Sequence, residues 1–320
     1  MAHGIAEKMK AAAIERFGGL DQLKVFDLPK PEPGPDEVLI RVRAAGVGIW
    51  DSLQRTGELA PDAPEFPMIL GAECSGDVER IGANVTTLHD GQAVYSYFRG
   101  EQGAYAEYVA VKATMVAPKP ASLSYTEAAA VPVDAITAHQ ALVDELKIKA
   151  GEWCFIAGGA GGVGSLAVQI AISLGAQVIV SARAENFAVL ESFGVMRGNL
   201  IDYTQADLGQ AVRDITGGHG ADAALDAVGG ESSKQTIQVV RDGGRLAELT
   251  TQELPETRGI KIFHVQSRPS AKRLAILGEM FDARVLKIHV GRVLTLVQAR
   301  EAQEAVEEHR GMGKIVLKID

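Results

Sequence analysis

The chain has 320 residues, 47% of them apolar, with a net charge of −9. That length accommodates two domains with substantial cores. An acidic balance without a basic run excludes nucleic acid as the main partner, because a phosphate backbone calls for clustered Lys and Arg.

The only cysteines, Cys74 and Cys154, sit in apolar, strand-like surroundings. They exclude a disulfide framework, favour a reducing compartment and read as small buried hydrophobes. No stretch reaches about 18 uncharged apolar residues, and residues 1–10 lack the apolar core of a signal peptide. The expectation is a cytoplasmic protein with no membrane partner.

In chain order, the first hundred residues read as β-rich. Residues 37–44 place Val38, Ile40, Val42 and Ala44 on one face and Glu37, Arg41 and Arg43 on the other, a half-buried strand. Before it, Pro29-Lys-Pro-Glu-Pro-Gly-Pro35 has too few N–H donors for a central strand and reads as an extended connector. Further strands are expected at 76–81, at 92–97 after the Asp90-Gly91 turn, and at 105–111. Tyr95 and Tyr97 read as packing residues. Ser124-Tyr-Thr-Glu127 then has capping-box spacing ahead of an alanine-rich helix, which places a domain boundary near residue 125.

Beyond it, Trp153-Cys-Phe-Ile-Ala157 is a buried-strand pattern that opens into Gly158-Gly-Ala-Gly-Gly-Val-Gly164. Gly159, Gly161 and Gly164 have the spacing G-x-G-x-x-G, and Leu166, Ala167, Ile170, Ala171 and Leu174 follow at helical period up to Gly175. A parallel strand is expected at 177–181. A pyrophosphate needs backbone N–H groups and a helix N-terminus at close range, and side chains in the turn would hold it away. The turn formed by Gly159, Ala160, Gly161, Gly162, Val163 and Gly164 is therefore a dinucleotide site. Next come a strand at 223–228, a helix at about 232–241, a turn at 242–244 and a strand at 245–250. This alternation implies an α/β fold with a doubly wound parallel sheet. The tail reads as helices near 271–281 and 299–309 and a strand at 313–319 that returns to the β-rich domain.

Gly71-Ala-Glu-Cys-Ser-Gly76, Gly103-Ala-Tyr-Ala-Glu107, Thr137-Ala-His-Gln-Ala-Leu142, the glycine turn, Ile201-Asp-Tyr203, Asp226-Ala-Val-Gly-Gly230 and Gly313-Lys-Ile-Val-Leu317 occur in this order. Together they resemble the medium-chain dehydrogenase/reductase superfamily, and specifically its zinc-free, quinone-oxidoreductase-like (zeta-crystallin-like) branch. The resemblance covers nearly the whole chain. It implies a GroES-like β-rich catalytic domain over 1–125 and 264–320, a Rossmann domain over 126–263, and a homodimer.

Zinc-dependent members of the superfamily carry a His where this chain has Ala72, and a Cys where it reads Gly48-Ile-Trp-Asp51. The seven histidines, from His3 to His309, offer no ligand spacing, so no zinc is expected. The branch pattern Asn-x-x-Asp-x-x-x-Arg-x-Gly is matched by Asp51, Arg55 and Gly57, but Gly48 replaces the Asn that lines the substrate side in family members. Asp51 and Arg55 are the candidate catalytic residues, with a structural ion pair between them as the alternative.

An NAD site places a carboxylate at the end of the second Rossmann strand, whereas NADP needs it absent and a cation nearby. Here that strand ends Ser181-Ala-Arg183, which points to NADPH. The resemblance adds Tyr203 beside the adenosine phosphate and Lys314 reaching the cofactor. It places Thr137, Val228, Gly229, Thr250, Phe263 and Val265 at the nicotinamide end, in a cleft between the domains. His264 reads equally as a half-buried structural histidine. Without zinc, alcohol oxidation lacks its usual Lewis acid, whereas a quinone or α,β-unsaturated carbonyl spreads the incoming charge over a conjugated system. Hydride transfer from NADPH to such an acceptor is the expected function. Two alternatives stay open: an NADPH-binding sensor or structural protein with little turnover, and a zinc-independent alcohol or aldehyde reductase.

Overall fold

Lys8-Met-Lys-Ala-Ala-Ala-Ile14, buried except at its two lysines, forms the first strand of the structure, a computed structural model that describes residues 7–59, 61, 63–99, 103–250, 254–255, 257–308 and 312–319. The chain divides into two units, Met1–Val133 with Pro269–Ala283 and Ile288–Asp320, and Asp134–Arg268 with Arg284–Lys287.

In chain order the first unit holds β1 (Lys8–Ile14), β2 (Lys24–Pro29), β3 (Glu37–Val47), α1 (Ile49–Thr56), β4 (Met68–Ile69), β5 (Glu73–Ile81), β6 (Ala93–Tyr97), β7 (Tyr108–Lys112), β8 (Val116–Pro118) and α2 (Tyr125–Ala129). After α3 (Pro132–His139), the second unit runs β9 (Trp153–Ala157), α4 (Gly162–Ser173), β10 (Gln177–Ala182), α5 (Phe187–Ser192), β11 (Leu200–Asp202), α6 (Leu208–Ile215), β12 (Ala221–Asp226), α7 (Glu231–Val239), β13 (Val240–Glu248) and β14 (Lys261–His264). α8 (Ala271–Asp282), β15 (Val290–Thr295), α9 (Ala299–Glu307) and β16 (Lys314–Lys318) complete the first unit.

The first unit is built on a sheet ordered β15-β16-β3-β5-β6-β8, with β7 paired to β3, and on a smaller one ordered β2-β1-β4. β3 is the keystone, because antiparallel β16 closes on its far end from Ala44 to Val47. That end is buried on both faces: Ala44 and Val316 pack with Ala129 and Ala130 around α2. α2 itself starts with the expected capping box, Glu127 N donating to Ser124 Oγ at 3.2 Å and Ser124 N to Glu127 Oε2 at 2.8 Å.

The second unit is a parallel six-stranded sheet ordered β11-β10-β9-β12-β13-β14. This is the doubly wound α/β arrangement, in which strand order reverses on either side of the first strand and ligands bind beyond the carboxyl ends. Phe155, Ile179, Ala224, Ile237 and Leu246 form its core.

Several boundaries differ from the sequence expectation. α7 ends at Val239, and β13 runs straight on from Val240, so 242–244 is not a turn between elements. Val240 pairs with Ala221 but Arg245 with Ala223, and the extra residues form a bulge in which Gly243 takes φ +67°. β12 stops at Asp226, which leaves Val228 in a turn. β7 starts only at Tyr108, because the Tyr105 N–H is bonded to the Leu70 carbonyl instead. Of the expected helix at 299–309, the part at His309 lies outside the described residues, as does His3.

Candidate cofactor and catalytic site

β9 delivers the chain to Gly158, which turns at φ +72°. A Cβ on Gly159 would come within 2.1 Å of Val180 Cγ1 on β10, and one on Gly164 within 2.1 Å of the Gly158 carbonyl. The two glycines thus let strand, turn and helix approach one another. Gly161 caps α4 without a side chain, and the first helical N–H groups, on Gly162, Val163 and Gly164, follow Ala160 at the start of the helix, with the Asp134 carboxylate of α3 beside Gly162, where a Cβ would meet its Oδ2 at 2.2 Å. Such donors at the positive end of a 12-residue helix suit a pyrophosphate. The Ser181 carbonyl fixes the turn by accepting from Gly159 N at 3.2 Å.

Parallel pairing of Ala182 with Asp202 brings together the two residues expected at the adenosine phosphate. Arg183 Nε donates to Tyr203 Oη at 3.2 Å, and Tyr203 is 46% exposed. That bond uses one of the five guanidinium donors. Asp202 is a carboxylate that the sequence reading did not weigh. It is engaged locally, accepting from the Thr204 hydroxyl at 2.7 Å and the Thr204 N–H at 3.0 Å, bonds that hold it below the usual carboxylate range.

At the other side of the sheet the strand ends gather the remaining candidates of this unit. Val228 is exposed, and its N–H and that of Gly229 donate to Asp226 Oδ1 at 2.9 and 3.2 Å. Gly229 sits at φ +84°, where a Cβ would meet Thr250 Cγ2 at 2.3 Å, so the turns after β12 and β13 touch. Phe263 lies in β14 beside Ala247, and Val265 N donates to the Glu248 carbonyl at 2.9 Å. Thr137 is buried in α3. The sequence reading missed the two carboxylates that organise these ends. Asp226 and Glu248, both fully buried, close β12 and β13 in register with each other and with His264. An acid closing an otherwise apolar strand, as in Ala223-Ala-Leu-Asp226, was the available signal.

The catalytic candidates of the first unit are buried and satisfied elsewhere. Asp51 Oδ2 accepts from Gly48 N and from Tyr105 Oη, each at 2.9 Å. Burial pushes its carboxyl up to about 6, against the pull of those bonds. Arg55 donates to Gln303 Oε1 at 2.8 Å, to the Gly18 carbonyl and to Glu307. The alternative of an Asp51–Arg55 ion pair is therefore replaced by an Arg55–Glu307 pair that ties α1 to α9. Lys314, 5% exposed, holds Glu73 Oε1 at 2.6 Å and lies 4.2 Å from the centre of the Trp50 ring. Trp50 also accounts for Gly48: a Cβ there would stand 2.2 Å from its Cζ2. The indole fills the space into which a side chain at 48 would project.

Residues 34–121 match the model of the alcohol dehydrogenase GroES-like domain and residues 198–317 that of zinc-binding dehydrogenases. A solved NAD-dependent alcohol dehydrogenase is 33% identical, with 98% of this chain and 100% of that one covered and a TM-score of 0.90. The quinone oxidoreductase from Coxiella burnetii is 30% identical over 98% and 100% of the two chains, with a TM-score of 0.88. By sequence, the quinone oxidoreductase-like protein 2 homolog of Nematostella vectensis is 30% identical over 70% of this chain. The chloroplastic NADPH-dependent alkenal/one oxidoreductase of Arabidopsis thaliana is 31% identical over 78% of it. The chain spans 61% and 65% of the length of these two relatives. It belongs to the medium-chain dehydrogenase/reductase superfamily of oxidoreductases, with quinone oxidoreductases among its relatives.

The zinc in one family description can be tested against the residues present. Zinc needs three or four converging Cys, His or carboxylate ligands. Among the described residues no three such side chains are placed to hold a metal ion. Gly48 and Ala72 offer no ligand, and an ammonium already sits on Glu73. These residues do not fit the metal. The nicotinamide dinucleotide common to the superfamily does fit: the α4 N-terminus opens on the glycine turn, and the exposed Arg183 follows β10. No helix among the described residues is long and apolar enough to cross a membrane.

Proposed function

We propose that the protein is a zinc-independent, NADPH-dependent oxidoreductase that reduces a quinone or an α,β-unsaturated carbonyl. The observation that carries this reading is the Arg183–Tyr203 pair beyond β10, a cation and a hydroxyl where an NAD site keeps a carboxylate. Bound NADPH supplies the hydride. The remaining work belongs to the chain's own residues. The α4 N-terminus and the turn from Gly159 to Gly164 bind the pyrophosphate, while Arg183 and Tyr203 hold the 2'-phosphate. Thr137, Ser181, Val228, Gly229, Thr250 and Phe263 shape the cofactor's bed in the Rossmann domain, residues 126–263, together with Val265 just past its end. In the catalytic domain, 1–125 with 264–320, Lys314, Asp51 and Arg55 act by holding α1 and its surroundings in place. With no Lewis acid to polarise a carbonyl, conjugated acceptors suit the site best, because their own π system takes up the charge. The working form is taken as a homodimer, which light scattering tests, and its place as the cytoplasm, which cell fractionation tests.

NADPH absorbance followed with a panel of quinones, enones and simple aldehydes tests the reading. Oxidation by the first two groups and not by the aldehydes is expected. Oxidation by aldehydes alone would make the protein a zinc-independent aldehyde reductase, and oxidation by none would favour an NADPH-binding protein with little turnover. Stoichiometric zinc in the purified protein would overturn zinc independence.

A further inference from the structure

The carboxyl ends of β12, β13 and β14 place Asp226, Glu248 and His264 side by side in register. Asp226 accepts four bonds, from Val228 N, Gly229 N, Ser232 Oγ and Ser233 Oγ, so its charge is well compensated. Glu248 is equally buried, yet among the described residues it meets no such set of donors. His264 Nδ1 stands 2.7 Å from its Oε1 and 3.3 Å from the Thr250 carbonyl, with the imidazole half exposed. Ser233 faces both carboxylates and has one proton, which it donates to Asp226 at 2.6 Å. The ionisable groups acting on Glu248 are Asp226 from β12 and His264 from β14. α7 presents Ser233, while its exposed charges, Glu231 and Lys234, pair with each other at 2.8 Å.

We propose that Glu248 and His264 are a positioning pair for the nicotinamide-side turns. While the two share a proton, the Asp226-anchored turn and Thr250 stay in place; once it is lost, two buried carboxylates face each other and the turns loosen. The inference rests on the NADPH reading for its catalytic meaning, but the mechanical part concerns these residues alone. Burial, and behind it the Asp226 carboxylate, push Glu248 above the usual carboxylate range while His264 pulls it back. A group whose proton affinity is raised by folding favours the folded form at low pH and loses that advantage as pH rises. The loosening therefore belongs on the alkaline side.

Amide hydrogen exchange of the cofactor-free protein between about pH 6 and about pH 9, corrected for intrinsic rates, tests this. In the wild type, protection at Val228, Gly229 and Val265 should fall with rising pH. In Glu248→Gln it should stay level, because the neutral amide leaves no second charge. In His264→Gln it should fall at lower pH. The NADPH dissociation constant should follow the same three profiles, rising by up to about tenfold per pH unit where one proton is linked. Level protection in the wild type, or a Glu248→Gln profile matching the wild type, would overturn the pair, and His264→Gln decides it should Glu248→Gln fail to fold. A protein whose turns loosen as described but that binds no NADPH would instead sink the cofactor reading and leave the pair standing.

Discussion

Arg183 and Arg55 are each a single arginine marked by its place in a motif, and the structure treats them oppositely. Arg183 stands at a strand end with one bond, to a half-exposed tyrosine. Arg55 is 2% exposed and bonded to a carbonyl, an amide and a carboxylate from other elements. The same contrast separates the carboxyl end of β10 from the neighbourhood of α1, where Lys314, Glu73 and Asp51 are also buried. A charge that recognises a ligand must keep donors for it, whereas one that fixes a fold has them occupied. Substitutions in the α1 neighbourhood should therefore act on stability, and those beyond the end of β10 on the cofactor.

The largest effect on stability is expected at the buried pair. Lys314→Met leaves Glu73 charged in the interior and should cost about 3–5 kcal/mol in urea unfolding. Adding Glu73→Gln should restore most of it, since removing both charges removes the penalty. A cost below about 1 kcal/mol would put the pair in the class of solvated surface bridges and erase the contrast.

Asp51 comes next, with a sign that is opposite to that of an ordinary paired carboxylate. Its carboxyl lies at about 6 in the fold against 3.8 unperturbed, so the folded chain keeps a proton that the unfolded chain releases. Stability is then lost as pH climbs between about 4 and about 6, by up to about 3 kcal/mol. Asp51→Asn should flatten that part of the profile, and an unchanged profile would show that the charge is better solvated than its burial implies. Arg55→Ala should cost about 2 kcal/mol, less than Lys314→Met because Glu307 is a third exposed and rehydrates. It should leave NADPH affinity as it was.

The sequence was most informative where one periodicity held over a whole element. The β9–α4–β10 unit and the Ser124 cap were legible because apolar spacing and terminal signals agreed. α1 went unread although Asp51 in its first turn and Gly57 after its last, at φ +96°, mark its ends, because Leu53 is the only apolar residue between them and sets no period. The glycines at 243 and 244 have the composition of a turn, and only the pairing of Val240 with Ala221 reveals a bulge inside β13. The Asp226–Glu248–His264 row depends on register between three strands far apart in sequence, which no local pattern carries. Gly48 looked like a lost functional residue; the ring of Trp50, two positions on, supplies the steric reason for it.

The smallest effect on stability should come from Arg183→Ala, with no resolvable shift of the urea midpoint, since an exposed side chain bonded to an exposed hydroxyl contributes little to folding. Its effect on the cofactor should be the reverse. A guanidinium on a phosphate makes charge-assisted bonds of roughly 1.5–3 kcal/mol, so NADPH affinity should fall at least about tenfold. NADH, which has no 2'-phosphate, should bind as before. Tyr203→Phe, which removes only the hydroxyl that steadies the guanidinium, should lose a smaller part of the same preference. If both variants weaken NADPH and NADH alike, Arg183 acts on the shared part of the cofactor and the choice of NADPH fails. If neither cofactor is affected, Arg183 is an ordinary surface residue, and having unoccupied donors would no longer distinguish a binding arginine from a structural one.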